Sequence, residues 1–499
     1  MIKGAGAERL GAVLLPLALA CAHQRPGDAS HGWDYEVTPT PQLDRLDVTL
    51  CFHDAIPRSL VADEAGAARY ILSPRAVANG HPLTLAPDGE TLDTRGATGK
   101  CLAYAVDLAR MAEEVEEQHM VRVGGVVATS PHLWLWRPGK LIREADVSLA
   151  FKLPASVQAS APWPVDDRGR HRLPYTAFSW ASQVVLGEFD ALHFTSAGTE
   201  FDVAVMKLPR EISDAGLQRW LDTAATTVAG LYGGQFPASH MQVIVVPYPG
   251  GGDPVYFGMA LRGGGPAVQL LISAAAGDDE FPGEWVAIHE LLHHGMPFVQ
   301  RDDAWLSEGF VTYYTEVLRA RAGFHSERDA WQALLAGFDR GSRSGAGQSL
   351  AEESRQMHEN FAYQRVYWGG AAIALLADVA LREAGSSLDA AMRHLQRCCA
   401  STLRVWPAGQ ILQAMDDSGP ALQGSSGQAK LEAPKLEAPK LEAPKLEALA
   451  SPILRSAAFP DLTPVYRKLG VSMVDGEPTL DESAPVAHLR RAIFSQPRP

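Results

Sequence analysis

In the stretch WVAIHELLHHGMPFVQRDDAWLSEGF, residues 285–310, His289 and His293 stand four apart with Glu290 directly after the first. On an α-helix a four-residue step turns the chain by about 40° beyond a full circle, so the two imidazoles project from one side on neighbouring turns and can grip one ion. Glu290 lies about 100° from His289, close enough to touch a water beside that ion without ligating it. This is the mechanical content of an H-E-x-x-H helix, in which the histidines bind zinc and the glutamate is a general base. Glu308, in WLSEGF on a helix expected to begin near Ala304, offers a third ligand. Two imidazoles and a carboxylate leave the fourth position of a zinc ion open, as metal-assisted peptide hydrolysis requires. The expected cofactor is one Zn2+ per chain.

Nearby polar residues read differently. His294 falls one step past the ligand face and reads as solvated or as a support behind the ligands. Thr312, one turn after Glu308, either orients a ligand histidine from outside the coordination sphere or serves only the helix face. Trp305 reads as core. Asp302 and Asp303 read as caps of the second helix, with Asp303 the better placed because it directly precedes Ala304.

The elements that must hold these groups follow from periodicity. The first helix is amphipathic, with Val286, Ile288, Leu291 and Leu292 available to a core. From about Asp44 to Leu208 short runs such as LDVTLCFHD, VSLAFKLP and EFDVAVMKL alternate apolar with polar residues, the pattern of a β-sandwich or open barrel. After Pro209 the spacing becomes helical over Ile212–Leu231, MQVIVVPYP and PAVQLLISAAA read as strands, and helical patterns dominate the remainder.

HELLH followed by WLSEGF resembles the gluzincin metallopeptidases, among them the aminopeptidase N group and the bacterial glycyl aminopeptidase family. VYWGGAAIALLADVALR, residues 366–382, is similar to the Y-x-K-G-A segment of those families and the apolar helix after it. The resemblance implies that Glu308 is the third ligand and that Tyr367 is the phenol that steadies the tetrahedral oxyanion. The β-rich first third, SWASQVVLGEF and the closing RKLGV are most similar to the glycyl aminopeptidase family, so the likeness extends over residues 45–495. It implies an α+β multidomain fold: an N-terminal β-sandwich at 45–208, a thermolysin-like zinc metallopeptidase domain at 209–325 and a C-terminal helical domain at 326–499. The chain departs from the pattern in three places. The connection from His293 to Glu308 is short, Gly369 replaces a lysine, and FGMALRGGG (257–265) carries no carboxylate where the family keeps a glutamate for the substrate's free amine. Its strand edge is expected to pair with an extended peptide, its glycines permitting close approach, unless the stretch is only a glycine-rich turn.

The remaining features bound the setting. With 44 basic against 58 acidic side chains the formal charge is −14, which argues against nucleic acid as a partner. Lys3 and Arg9 precede an apolar run from Leu10 to Ala20 that is too short to span a bilayer and reads as an export signal over 1–21. Cleavage before Cys21 would leave a lipid-anchored chain in the periplasm or cell envelope, while Ala18-Leu19-Ala20 also suits an ordinary signal cut. Residues 22–44 read as a linker. Cys51 and Cys101 either pair or remain buried thiols. The unit KLEAP repeats within 424–452 and reads as an exposed, semi-extended insert. The expected activity is an exported zinc peptidase acting on peptides or proteins. Its rivals are a catalytically inactive binding protein of the same fold and a zinc hydrolase of a non-peptide bond.

Overall fold

In the computed structural model, residues 31–116, 118–402, 404–418 and 445–495 are described. The export signal, Cys21 and the repeat up to residue 444 lie outside them. Strand β1 (Gly32–Pro39) buries Trp33, Tyr35 and Val37, and β2 (Arg45–Phe52) buries Leu46, Val48, Leu50 and Phe52, each strand turning alternate side chains inward. β1 pairs antiparallel with β2 and parallel with β5 (Asp146–Phe151). Further antiparallel pairings add β3 (Ile71–Ala76), β4 (Cys101–Asp107) and β6 (His171–Arg172), giving a six-stranded sheet in the order β6-β5-β1-β2-β4-β3. Two four-stranded sheets accompany it, and side chains from all three share one apolar cluster from Trp33 to Leu186. The segment expected as a linker over 22–44 therefore supplies an inner strand at 32–39, because its apolar alternation continues that of β2. Cys51 and Cys101 stand directly opposite on β2 and β4 and are joined by a disulfide. Cys398 and Cys399 are also bonded to each other.

The second part is built on β7 (Asp190–Ser196), β8 (Thr199–Val205), β9 (His240–Tyr248), β10 (Val255–Leu261) and β11 (Ala267–Ser273). Their spatial order is β7-β8-β9-β11-β10. β8, β9 and β11 run parallel at the centre, while β7 and β10 form antiparallel edges. Since β8 pairs with β9 from Glu200 to Val205, this unit begins near residue 190, ahead of the boundary expected at 208/209. Val126, Ala128 and Val185 of the first part pack on Ala204, Met206, Ile244 and Val246 of the sheet, so the two parts share an apolar face.

Helices α1 (Asp214–Leu231), α2 (Trp285–His293), α3 (Ala304–Arg321), α4 (Glu327–Arg343) and α5 (Tyr363–Glu383) cover this sheet or pack on one another. One continuous apolar cluster runs from Phe201 to Ile493. No break in it falls at 325/326, so the helices expected as a separate C-terminal domain complete the core of this second part. Within the expected repeat insert, a helix at Leu446–Leu454 buries Leu446 and Ala450, one turn apart, and that end of the insert belongs to the same core. Among the described residues no helix is long and apolar enough to cross a membrane.

Helices α3 and α5 cross backbone to backbone. A Cβ on Gly370 would stand 1.9 Å from the Trp305 carbonyl oxygen, and one on Gly309 would stand 2.3 Å from the Gly370 Cα. Glycine here supplies contact distance, and the contact brings the Glu308 turn beside the Tyr367 turn. Gly370→Ala must push the helices apart, so we expect a loss of about 1–3 kcal/mol, read as a lower urea midpoint. An unchanged midpoint would show that the crossing is looser than described.

Candidate metal centre

Helix α2 begins at Glu284, whose carboxylate accepts hydrogen bonds from the backbone N–H groups of Val286 (2.8 Å) and Ala287 (3.2 Å). Two of the four N–H groups that a helix start leaves unpaired are thereby satisfied. Val286, Ile288, Leu291 and Leu292 are buried in the core, and the same winding turns His289 and His293 toward a cleft of about 940 Å³. Glu308, at the start of the second turn of α3, meets them there. Its Oε2 lies 3.3 Å from Nε2 of His289 and 3.5 Å from Nε2 of His293. One donor atom from each of the three residues falls within 4.8 Å of the others.

Whether zinc fits can be judged from the donors. Ligand atoms about 2.1 Å from a tetrahedral ion stand roughly 3.4 Å apart, close to the two spacings observed. The other ring nitrogens are engaged by hydroxyls: Nδ1 of His289 is 3.4 Å from Thr315 Oγ1, and Nδ1 of His293 is 3.3 Å from Ser307 Oγ. Thr315 donates its own proton to the Val311 carbonyl at 2.8 Å, which leaves an oxygen lone pair to accept from the imidazole. That arrangement puts the ring proton on Nδ1 and frees Nε2 to ligate. Burial pushes the Glu308 carboxyl up, but His293 and His289 outweigh it and hold the group well below the usual carboxylate range. Glu308 is therefore an anion ready to ligate, and the set suits zinc.

Glu290 turns from the same helix toward strand β10. Its Oε2 accepts from the Ala260 N–H at 2.8 Å. Burial, partly opposed by His289, raises its pKa to about 7. A Cβ on Gly258 would lie 2.5 Å from Glu290 Cγ, so this glycine makes room for the carboxylate. Tyr367, on α5, stacks on His289 with ring centroids 6.0 Å apart and planes 10° from parallel. Burial first, then the carboxylates of Glu308 and Glu290, push its phenol well above the ordinary value, so it keeps its proton as a donor. All five residues expected at the site thus line one cleft.

The surroundings correct several expectations. His294 is buried and pairs through Nε2 with the Ala267 carbonyl at 3.1 Å, tying α2 to the sheet. Thr312 Oγ1 has no hydrogen-bond partner, and Thr315 touches the ligand instead. Asp303 occupies the cap position of α3 but accepts from the Ala408 N–H at 2.8 Å, while the Trp305 N–H bonds to Ser354. Gly263, Gly264 and Gly265 leave no room for side chains against Trp180, Trp163 and Pro162, so they seat the edge strand on the first part of the chain. Trp305 is core, as expected.

Glu284 was not a sequence candidate, although its place one residue before a helix was a usable signal. Burial raises its carboxyl to about 7. In the unfolded chain the group loses its proton near 4.5, so the stability linked to holding the proton is fully present below that pH. It is lost as pH rises through about 7. The swing is on the order of 3 kcal/mol. Glu284→Gln, which keeps an oxygen for the helix N–H groups, should flatten this dependence when urea midpoints are compared at about pH 5 and about pH 8. An equally steep fall in the variant would assign it to other groups.

Known proteins were compared with the chain. No protein-family model and no curated protein matches the sequence. Solved structures do match the fold. An aminopeptidase N family protein from Idiomarina loihiensis superposes with a TM-score of 0.65 at 14% identity, over 88% of this chain and 78% of that one. An M1 zinc metallopeptidase from Deinococcus radiodurans gives 0.53 at 16% identity, over 88% and 96%. A variant of the Deinococcus protein bound to a Tyr-Ser-Ala substrate gives 0.51 at 17% identity, over 87% and 95%. With a core continuous across sheet and helices and this site on its α2–α3 face, the chain has the fold of the aminopeptidase N family and the M1 zinc metallopeptidases.

Proposed function

We propose that the chain is an exported zinc-dependent peptidase, aminopeptidase-like in its site but without the glutamate that usually anchors a free amine. The observation that carries this reading is the convergence of His289, His293 and Glu308 within 4.8 Å, with Glu290 and Tyr367 on the same cleft. Zinc, when bound by those three, acidifies a water and polarises a scissile carbonyl. Glu290, held by the Ala260 N–H and with a pKa near neutrality, takes the water's proton and later delivers it to the leaving amine. Tyr367, protonated and fixed against His289, donates to the oxyanion that develops. β10 is an edge strand with its outer side open to the cleft, so its backbone can pair with an extended peptide. The tripeptide bound by the Deinococcus neighbour makes a peptide the natural first ligand class to test.

Export rests on residues 1–21, and membrane attachment on Cys21. The test is cleavage of a mixed peptide library by the zinc-loaded protein. Cleavage that stops on chelation and returns with zinc is expected. A protein that holds zinc and cuts no peptide would favour the inactive binding protein, a reading supported by the missing carboxylate and by Gly369 in place of the lysine near Tyr367. Glu290, Glu308 and Glu316 are the acidic residues lining the cleft, and Glu316 is paired with Arg319 at 3.1 Å.

A further inference from the structure

Two residues beyond Ala260 and directly after the last residue of strand β10, Arg262 lines the cleft. At about 3.3 Å per residue this places its backbone roughly 7 Å along the edge from the N–H that holds Glu290. Its guanidinium donates from Nη1 to the Met296 carbonyl at 2.8 Å and lies over the Phe298 ring, with Cζ 5.9 Å from the centroid. Phe298 is itself stacked on Trp180 at 4.5 Å, so the platform beneath the cation is a pair of aromatic rings. No carboxylate among the described residues pairs with Arg262. Burial lowers its pKa to about 10, and the buried phenol of Tyr232 is the group that partly opposes this.

An unpaired desolvated cation is costly, and a guanidinium offers five donors in a planar fork of which the protein uses one here. Such a group is prepared for a planar anion with two oxygens. The cleft offers no rival use for it. Glu290 is turned to Ala260, Glu308 to the histidines and Glu316 to Arg319. Elsewhere the cleft presents exposed Phe257 of the edge strand and exposed Trp285 of α2, apolar side chains unsuited to a charge. A free ammonium near Arg262 would be repelled.

We propose that Arg262 is a specificity-determining residue that binds a carboxylate of the substrate, within one or two residues of the bond cleaved, so that this chain selects acidic peptides over free-amine recognition. The carboxylate belongs either to an aspartate or glutamate side chain or to the end of the peptide. The inference rests on the peptidase reading for its reaction but predicts binding independently of turnover.

The test uses the full zinc-loaded protein and two sets of matched peptides. One set exchanges Glu for Gln at each position flanking the scissile bond, and the other exchanges a terminal carboxylate for its amide. In one of the two sets kcat/KM should favour the acid by about 10- to 100-fold. Arg262→Met should bring that ratio close to one, and Arg262→Lys should retain part of it, since a point charge replaces the fork. The same acid preference should appear as a difference in Kd for Glu290→Gln protein, which binds without turnover. Preference in the first set assigns the side chain, and in the second the chain terminus. Cleavage or binding with no acid preference in either set overturns the assignment while leaving the peptidase intact. Acid-selective binding without cleavage by the native chain upholds Arg262 and overturns the peptidase. If Arg262→Met does not fold, the native ratios and those of Arg262→Lys still decide.

Discussion

Glu290→Gln should lower kcat for peptide cleavage by about 10²–10⁴-fold while zinc remains bound at its native stoichiometry. The expectation follows from where the carboxylate points. It lies on the same helix as both histidines but accepts from the Ala260 N–H at 2.8 Å and reaches neither imidazole. A glutamine keeps the oxygen that receives that hydrogen bond, so the side chain stays in place beside Gly258. What it lacks is a basic site. A carboxyl raised to about 7 is close to ideal for taking and returning a proton near neutral pH, and an amide does neither. The measurement is steady-state cleavage together with metal analysis on the same sample. A variant with zinc and undiminished kcat would remove Glu290 from the proton path.

Glu308→Gln should fail in the opposite way, by losing the metal. Glu308 is the one anion among the three proposed ligands, and it is held ionised by the two imidazoles it faces. An amide oxygen is a neutral and weaker donor. Removing even an outer hydrogen-bond partner of a zinc ligand costs about 10–100-fold in affinity, so losing the charged ligand should cost more than about 100-fold. Competition against a chromophoric chelator measures this directly. Native affinity in the variant would mean that the ion is held elsewhere. The two variants together separate binding of the ion from use of it, since they stand on adjacent elements of one cleft and are predicted to lose different properties.

The grouping of His289, Glu290, His293 and Glu308 was legible because two simple rules set it, whereas Tyr367 was offered only by the resemblance of VYWGGAA to the Y-x-K-G-A segment. Four-residue spacing on a helix puts His289 and His293 on one side, and WLSEGF places Glu308 near the start of the next helix. What the rules could not supply was the crossing of α3 and α5. Thr312 and Thr315 both lie near the Glu308 face, four and seven residues on, and only the tertiary approach of α2 decides that Thr315 meets His289. Gly309 and Gly370 stand within the WLSEGF and VYWGGAA stretches, but spacing along the chain does not show that their backbones meet. The three glycines after Arg262 invited a substrate-binding reading, yet they are consumed in seating the edge strand on Pro162, Trp163 and Trp180.

Domain boundaries were less legible for a similar reason. Strand alternation near residue 200 is the same whether the strand joins the first sheets or the second, and pairing of β8 with β9 assigns it to the second. The helical spacing after 326 says that helices form but not which core they share. The segment at 32–39 shows the reverse failure, where a region set aside as a linker carries the alternation of a strand with buried Trp33, Tyr35 and Val37. Arg262 was passed over because the sequence shows only that a carboxylate is missing nearby. That its guanidinium has no acidic partner required the surrounding residues to be in place.

The coordination claim is tested most directly by a crystal structure of the zinc-loaded protein with anomalous data on both sides of the zinc absorption edge. The account predicts one strong anomalous peak about 2.0–2.2 Å from Nε2 of His289, Nε2 of His293 and a carboxylate oxygen of Glu308, with an open fourth position facing Glu290 and Tyr367. An absent peak, or a zinc ion held by other residues while Glu308 faces solvent, would contradict it.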